Sequence, residues 1–144
     1  MERVQSRLGK VLVTGSEGFI GKPTVKVLED KYEVVRFDLS LGQDITLPSH
    51  LNNLPPFDYV IHLAAVSSTD WARSDPQRAF NTNVYGTYLL LLECVKRGIK
   101  KFVYASSYRV YDLPFGNPYV VSKRLEEATA GAFFGIISII GLRY

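Results

Sequence analysis

Lys10-Val11-Leu12-Val13-Thr14-Gly15-Ser16-Glu17-Gly18-Phe19-Ile20-Gly21 is the stretch whose reading decides the fold. Lys10 to Thr14 has the short apolar character of a buried strand, and three glycines spaced three apart follow it at 15, 18 and 21. Phe19 to Asp30 then reads as a helix, with Pro23 tolerable in its first turn. Glycines between a strand and a helix permit a tight turn and let the backbone approach a pyrophosphate. The helix start adds unpaired N–H groups and the positive end of its dipole. A glycine-rich turn without a ligand is the plainer reading. The position of this one at the first βα turn favours binding.

Working outward, strand-like and helix-like runs alternate, the pattern of a parallel sheet covered on both faces. Tyr32 to Phe37 predicts a second strand closed by Asp38, and Asp44-Ile45-Thr46 a very short third one. Pro48, Pro55 and Pro56 punctuate the irregular part. Asp58 to Ala65 predicts a fourth strand, Lys101 to Ala105 a fifth and Ile136 to Leu142 a sixth. A long helix is expected from about Pro76 to Lys96, with Phe80, Val84, Leu91 and Val95 on its apolar face. Another is expected from Pro118 to about Ala130. The whole reads as an α/β fold, a Rossmann-like doubly wound parallel sheet of strand order 3-2-1-4-5-6, with residues 1–144 forming a single dinucleotide-binding domain.

Composition excludes several other classes. Apolar residues make up 47% and charged residues 22% of the 144 residues, as in ordinary globular proteins. A net charge of +3, with Lys and Arg scattered apart from Lys100-Lys101, does not suggest nucleic acid. The single cysteine, Cys94, leaves no internal disulfide or Cys-rich metal site, and no metal is expected. The start of the chain is mixed and charged rather than leader-like, and the apolar runs are too short or interrupted for a membrane span. A cytoplasmic protein without a membrane partner is the expectation.

Asp38 ends the second strand 17 residues after Gly21. A carboxylate there can accept hydrogen bonds from the adenosine ribose hydroxyls and would repel a 2′-phosphate, so NAD is favoured over NADP. Arg36, two residues earlier, carries little weight as a phosphate reader. Tyr119 and Lys123 stand at i and i+4 on a helix and therefore share a face. An ammonium beside a phenol stabilises phenolate, which suits proton transfer to or from a substrate oxygen; in isolation this spacing is more commonly a surface contact of the cation over the ring. Ser106-Ser107 follow strand five, at the carboxyl edge where open α/β sheets bind ligands; as strand-end serines they could equally be capping residues.

Together these segments resemble the extended branch of the short-chain dehydrogenase/reductase superfamily, the NAD-dependent sugar-nucleotide epimerases and dehydratases. The resemblance covers nearly the whole chain: Val13 to Gly21, Asp44-Ile45, Val60-Ile61-His62-Leu63-Ala64-Ala65, Asp75-Pro76, Asn83-Val84-Tyr85-Gly86-Thr87, Phe102 to Ser107 with Val110-Tyr111, and Pro118 to Lys123 with Glu126. It implies cofactor binding by Gly15, Gly18, Phe19, Ile20, Gly21, Asp38, Asp44, Ile45, Leu63, Ala64, Ala65 and Asn83. It also implies a catalytic Ser107, Tyr119 and Lys123, with Tyr119 and Lys123 touching the cofactor as well, and a structural His62. The substrate it implies is a hydroxyl of a sugar or sugar nucleotide.

The pattern departs from the family at three places. Asp38 and Asp44 are only six residues apart, the stretch Asp112 to Asn117 is short, and the sequence ends at Leu142-Arg143-Tyr144, where the family enters its substrate-binding C-terminal part. A shortened chain is therefore expected: an enzyme, an NAD-binding regulatory or redox-sensing module without turnover, or a fragment of a longer epimerase. A homo-oligomer is expected too, because an uncovered apolar sheet end invites association, with Leu89 to Val95 as one candidate surface.

Overall fold

A computed structural model of the chain describes residues 7–113 and 115–144. Among these described residues five strands, all parallel, form the sheet: β1 (Lys10–Thr14), β2 (Glu33–Phe37), β3 (Tyr59–His62), β4 (Lys101–Ala105) and β5 (Ser138–Leu142), in the spatial order β2-β1-β3-β4-β5. The strand order reverses between β1 and β3, which opens a crevice at the strands' carboxyl ends. Of the six expected strands, the short one at Asp44-Ile45-Thr46 is instead a turn. Asp44 Oδ1 accepts hydrogen bonds from the Thr46 backbone N–H (2.8 Å) and hydroxyl (2.7 Å), and this local pairing replaces a sheet ladder. Apart from that strand, the order is the one expected.

Strand β1 buries both faces, whereas β3 and β4 bury one face fully and the other in part. Val11 and Val13 pack with Val25 of helix α1 (Gly21–Leu28) on one side, while Leu12, Phe37, Val60 and Phe102 enter the larger core on the other. That core is closed by helix α2 (Pro48–Asn52) through Leu51, and by the long helical segment after residue 75. β5 is the exposed edge, with Ile140 and Leu142 open to solvent. Helix α3 (Thr69–Ser74), capped by Ser68, has no clear signal in the sequence.

The expected helix over 76–96 is three pieces: α4 (Pro76–Phe80), a π-helical turn (Asn81–Gly86) and α5 (Thr87–Arg97). The wider π turn rotates everything after it relative to a continuous 3.6-residue helix. Leu90, Leu91 and Cys94 therefore face the core, and Val95 turns outward. Most of the candidate surface from Leu89 to Val95 is thus core rather than docking face. Helix α6 (Pro118–Gly131) starts as its sequence suggests, with Asn117 Oδ1 accepting from Val120 N (3.3 Å) and Pro118 at its first position. It packs against α3, α4, the π turn and α5. Among the described residues no helix is long and apolar enough to cross a membrane.

Candidate functional site

The glycine turn does what its spacing implies. Gly15 has φ of +68°, and a Cβ there would lie 2.7 Å from the Leu63 carbonyl carbon and the Ala64 nitrogen. The end of β1 thus passes against the loop that follows β3. Thr14 joins the two, since its Oγ1 accepts from the N–H groups of Leu63 and Ala64 (both 3.2 Å). Helix α1 has no side-chain cap. Among the described residues, the N–H groups of Phe19, Ile20 and Gly21 find no acceptor outside regular secondary structure. Unpaired amides at a helix start are suited to an anion.

From that turn an open cleft of about 820 Å³ runs along the carboxyl edge of the sheet. Its walls include Gly15, Gly18, Phe19, Ile20, Gly21, Asp38, Asp44, Ile45, Leu63, Ala64, Ala65, Tyr119 and Lys123. Every expected cofactor residue except Asn83 therefore meets in one place. Asn83 lies behind the wall, fully buried, where its amide pairs with the N–H (2.7 Å) and C=O (3.0 Å) of Val66 and with Ser122 Oγ (2.9 Å). It shapes the cleft by holding Val66, which does line it. Gln43, Val66, Trp71 and Arg78 also line the cleft, although nothing in their local sequence marks them. Only the loop and helix placement brings them there.

Asp38 stands at the expected end. Burial works against its charge, but hydrogen bonds from the Ser40 and Glu17 N–H groups, the Ser40 hydroxyl and the nearby Lys22 outweigh this and hold its carboxyl below the usual range. It remains an ionised acceptor. Ile45 fits against Gly86, where a Cβ would come within 2.6 Å of Ile45 Cγ2.

At the other end, Tyr119 and Lys123 are almost wholly buried on one face of α6. Lys123 Nζ donates to Ala105 O (2.9 Å) and to Glu126 Oε2 (2.7 Å), leaving one of its three N–H groups. Ser106 lines the cleft, yet its hydroxyl is engaged with Glu127 Oε1 (2.5 Å). Ser107 sits just behind and accepts from Arg109 N (3.2 Å). Among the described residues its hydroxyl proton finds no acceptor.

Behind this end lies a buried polar chain. Thr14 Oγ1, already accepting two N–H groups, gives its proton to His62 Nδ1 (2.6 Å). Nε2–H of His62 is then left to face Thr87 Oγ1 (2.8 Å) and Glu126 Oε1 (3.9 Å). Burial, with a smaller push from Lys123, lowers the His62 pKa to about 3. The imidazole is expected to stay neutral, as the Nε2–H tautomer, throughout about pH 5–8 in an NMR titration. A protonation step inside that range would contradict this placement. The stability linked to neutral His62 is complete above its ordinary value of 6.5 and is lost as pH falls toward about 3. Among the described residues no group of three or more His, Cys, Asp or Glu side chains could hold a metal ion.

A switch-point crevice with unpaired amides at its glycine turn, an ionised carboxylate at one end and a Tyr–Lys helix at the other defines a dinucleotide-site architecture of the Rossmann type. Residues 11–130 match the NAD dependent epimerase/dehydratase family, and the chain belongs to it. It is 32% identical over 146 aligned positions to UDP-glucose 4-epimerase of Pisum sativum, covering 81% of this chain and 42% of that protein. A 31% identity over 133 positions relates it to UDP-glucose 4-epimerase of Bacillus subtilis, covering 75% and 39%. The chain thus spans about two fifths of the length of these relatives. Among solved structures, the Thermus thermophilus UDP-glucose 4-epimerase complex with NAD superposes with a TM-score of 0.80 at 27% identity, covering 94% of this chain and 54% of that one. RMD from Pseudomonas aeruginosa complexed with NADPH superposes with a TM-score of 0.78 at 28% identity, covering 94% and 52%.

Proposed function

We propose that this chain binds NAD(H) in the cleft and carries the oxidoreductase half of a sugar-nucleotide epimerase site. The observation behind this reading is the continuity of one cleft from Asp38, past the Gly15–Gly21 turn, to Tyr119 and Lys123. The residues fit the cofactor: Asp38 receives the adenosine ribose hydroxyls, the free amides of Phe19, Ile20 and Gly21 receive the pyrophosphate, and Leu63 to Ala65 flank the path to the nicotinamide end. Bound there, NAD supplies a hydride acceptor.

The chain's own groups do the rest. Tyr119 Oη takes the proton of a substrate hydroxyl, and Ser107, whose hydroxyl proton is uncommitted, is assigned to the reacting oxygen, which requires its side chain to turn from behind the wall into the cleft. The remaining N–H of Lys123 is directed to the nicotinamide ribose, and its charge favours the proton transfer at Tyr119. Were the resulting ketone to present its other face, return of the hydride to that face and of the proton from Tyr119 would give a hydroxyl of the opposite configuration.

Positioned proton transfer of this kind contributes about 10²–10⁴-fold in rate. Tyr119→Phe is expected to lose turnover of a sugar nucleotide by that factor while the Kd for NAD+ changes less than about threefold. Rates are to be normalised to folded protein and affinities read by titration calorimetry. A fully active Tyr119→Phe protein would end the mechanistic reading, and a wild-type chain that binds neither NAD+ nor NADP+ would end the cofactor reading. NAD+ binding without any turnover would favour a second reading, a dinucleotide-binding module. The observation on its side is that Lys123 is already committed to Glu126 and Ala105.

A further inference from the structure

Arg36 is the one cation on β2, two residues before Asp38, and guanidinium groups in this neighbourhood are how Rossmann sites accommodate a 2′-phosphate. In this chain the group is already engaged. Its Nη1 lies 3.3 Å from Glu17 Oε1 and its Nη2 lies 2.9 Å from Glu29 Oε1. Glu17 belongs to the glycine turn, and its backbone N–H donates to Asp38 Oδ2 (3.0 Å). Its Oε1 also accepts from Ser16 Oγ (3.1 Å). One residue thus touches both the carboxylate that faces the ribose and the guanidinium beside it. Glu29 follows the last residue of α1 and reaches Arg36 from the other side. Two carboxylates, Glu17 and Glu29, thus hold one guanidinium, and Glu17 also bonds Asp38 through its backbone N–H.

We propose that Glu17 and Glu29 are specificity-determining residues: by clamping Arg36 they close the adenosine end of the cleft to a 2′-phosphate, so that selection of NAD over NADP is shared between this clamp and Asp38. The inference rests on the dinucleotide reading above and deepens it. A 2′-phosphate would stand beside Asp38 and Glu17, both anionic, while the only cation of β2 has its donors directed elsewhere. The Arg36 pairs are half exposed, and such pairs are weak. Removing Glu17 frees Nη1 while Nη2 keeps its pair with Glu29, and a guanidinium with a free edge can turn that edge to a phosphate. Arg36 in this view is a latent phosphate reader kept unavailable by its neighbours.

Titration calorimetry of the full chain with NAD+ and with NADP+ tests this without any need for turnover. Glu17→Gln is expected to raise NADP+ affinity about 10-fold while NAD+ affinity stays within about threefold. Glu29→Gln, on the far side of the clamp and outside the cleft wall, is expected to shift NADP+ affinity the same way by a smaller factor. Adding Arg36→Met to Glu17→Gln is expected to remove the gain. Two results overturn the proposal: unchanged NADP+ affinity in both single variants, or a gain that survives Arg36→Met, which would mean that relief of repulsion alone is at work. Should Glu17→Gln fail to fold, Glu29→Gln and its double with Arg36→Met separate the same two outcomes. A wild type that binds NAD+ with neutral clamp variants sinks this inference alone. A wild type that binds neither nucleotide sinks the dinucleotide reading and this inference with it.

Discussion

Gly21→Ala is expected to abolish NAD binding and to cost the fold about 3 kcal/mol or more, the range of mutations that force a backbone apart. An added Cβ would stand 2.0 Å from Gly15 O and 2.8 Å from the Ser16 carbonyl carbon. Both contacts are backbone, so no side chain can swing away. The start of α1 and the end of β1 must separate, and with them the amides of Phe19 to Gly21 leave their places. Gly18→Ala is the control, because its Cβ meets only Gly15 O at 3.3 Å while Gly18 faces the cleft. It should lower NAD+ affinity with less than about 1 kcal/mol lost in urea unfolding. A Gly21→Ala protein of wild-type stability would show that α1 does not pack on the turn as described.

The second large effect is expected at Lys123, and it separates structure from binding. Lys123 and Glu126 are a buried ion pair, 3% and 1% exposed in their side chains. Lys123→Met leaves the carboxylate without its partner, which costs about 3–5 kcal/mol at neutral pH. Burial pushes the Glu126 carboxyl up, and Lys123 opposes that push. With the lysine gone, only the hydrogen bond from Thr87 opposes the rise. A group whose folded pKa is raised stabilises the fold in its protonated form, so the Lys123→Met deficit should shrink as pH falls from 7 toward the ordinary carboxylate value of 4.5. Removing the stranded charge as well, in Lys123→Met/Glu126→Leu, should restore most of the stability, as replacement of whole buried pairs often does. It should not restore NAD+ affinity, because the ammonium is still missing. Urea unfolding at two pH values, with calorimetry on both variants, reads all of this. A deficit under about 1 kcal/mol, or one independent of pH, would contradict the buried pair.

The residues legible in advance are those whose meaning is local. β1 and β4 fall where their apolar runs end, the glycine turn sits between strand and helix, and Asp38 closes β2. Tyr119 and Lys123 share a face because i and i+4 always do on a helix. Pro118 marks the start of α6, where a proline suits the first helical position. His62, structural by resemblance, is held on both sides by its bonds to Thr14 and Thr87.

Other features depend on neighbours distant in sequence. Asp44-Ile45-Thr46 has strand-like composition, but the Asp44 side chain finds its bonds two residues away and Ile45 is claimed by Gly86. A one-dimensional helical period cannot register the π turn, which reassigns Val95 from core to surface. The resemblance puts Asn83 at the cofactor, yet it lies one layer back, because the loop carrying Val66 takes up most of its amide.

Spacing along the chain is enough to specify the parallel α/β class, the glycine turn, the acceptor at Asp38 and the Tyr119–Lys123 face, since position along a strand or helix dictates direction whatever surrounds it. Which charges meet is settled only by the packed fold. Glu126, three residues after Lys123, reads in isolation as one half of a solvated surface pair, and only the packing of α6 against α3, α4 and the π turn buries it. Glu17, Glu29 and Arg36 are likewise scattered over a turn, a helix end and a strand, and pair only once β1 and β2 lie side by side. Charge pairing is a property of distance in space, and folding alone sets that distance.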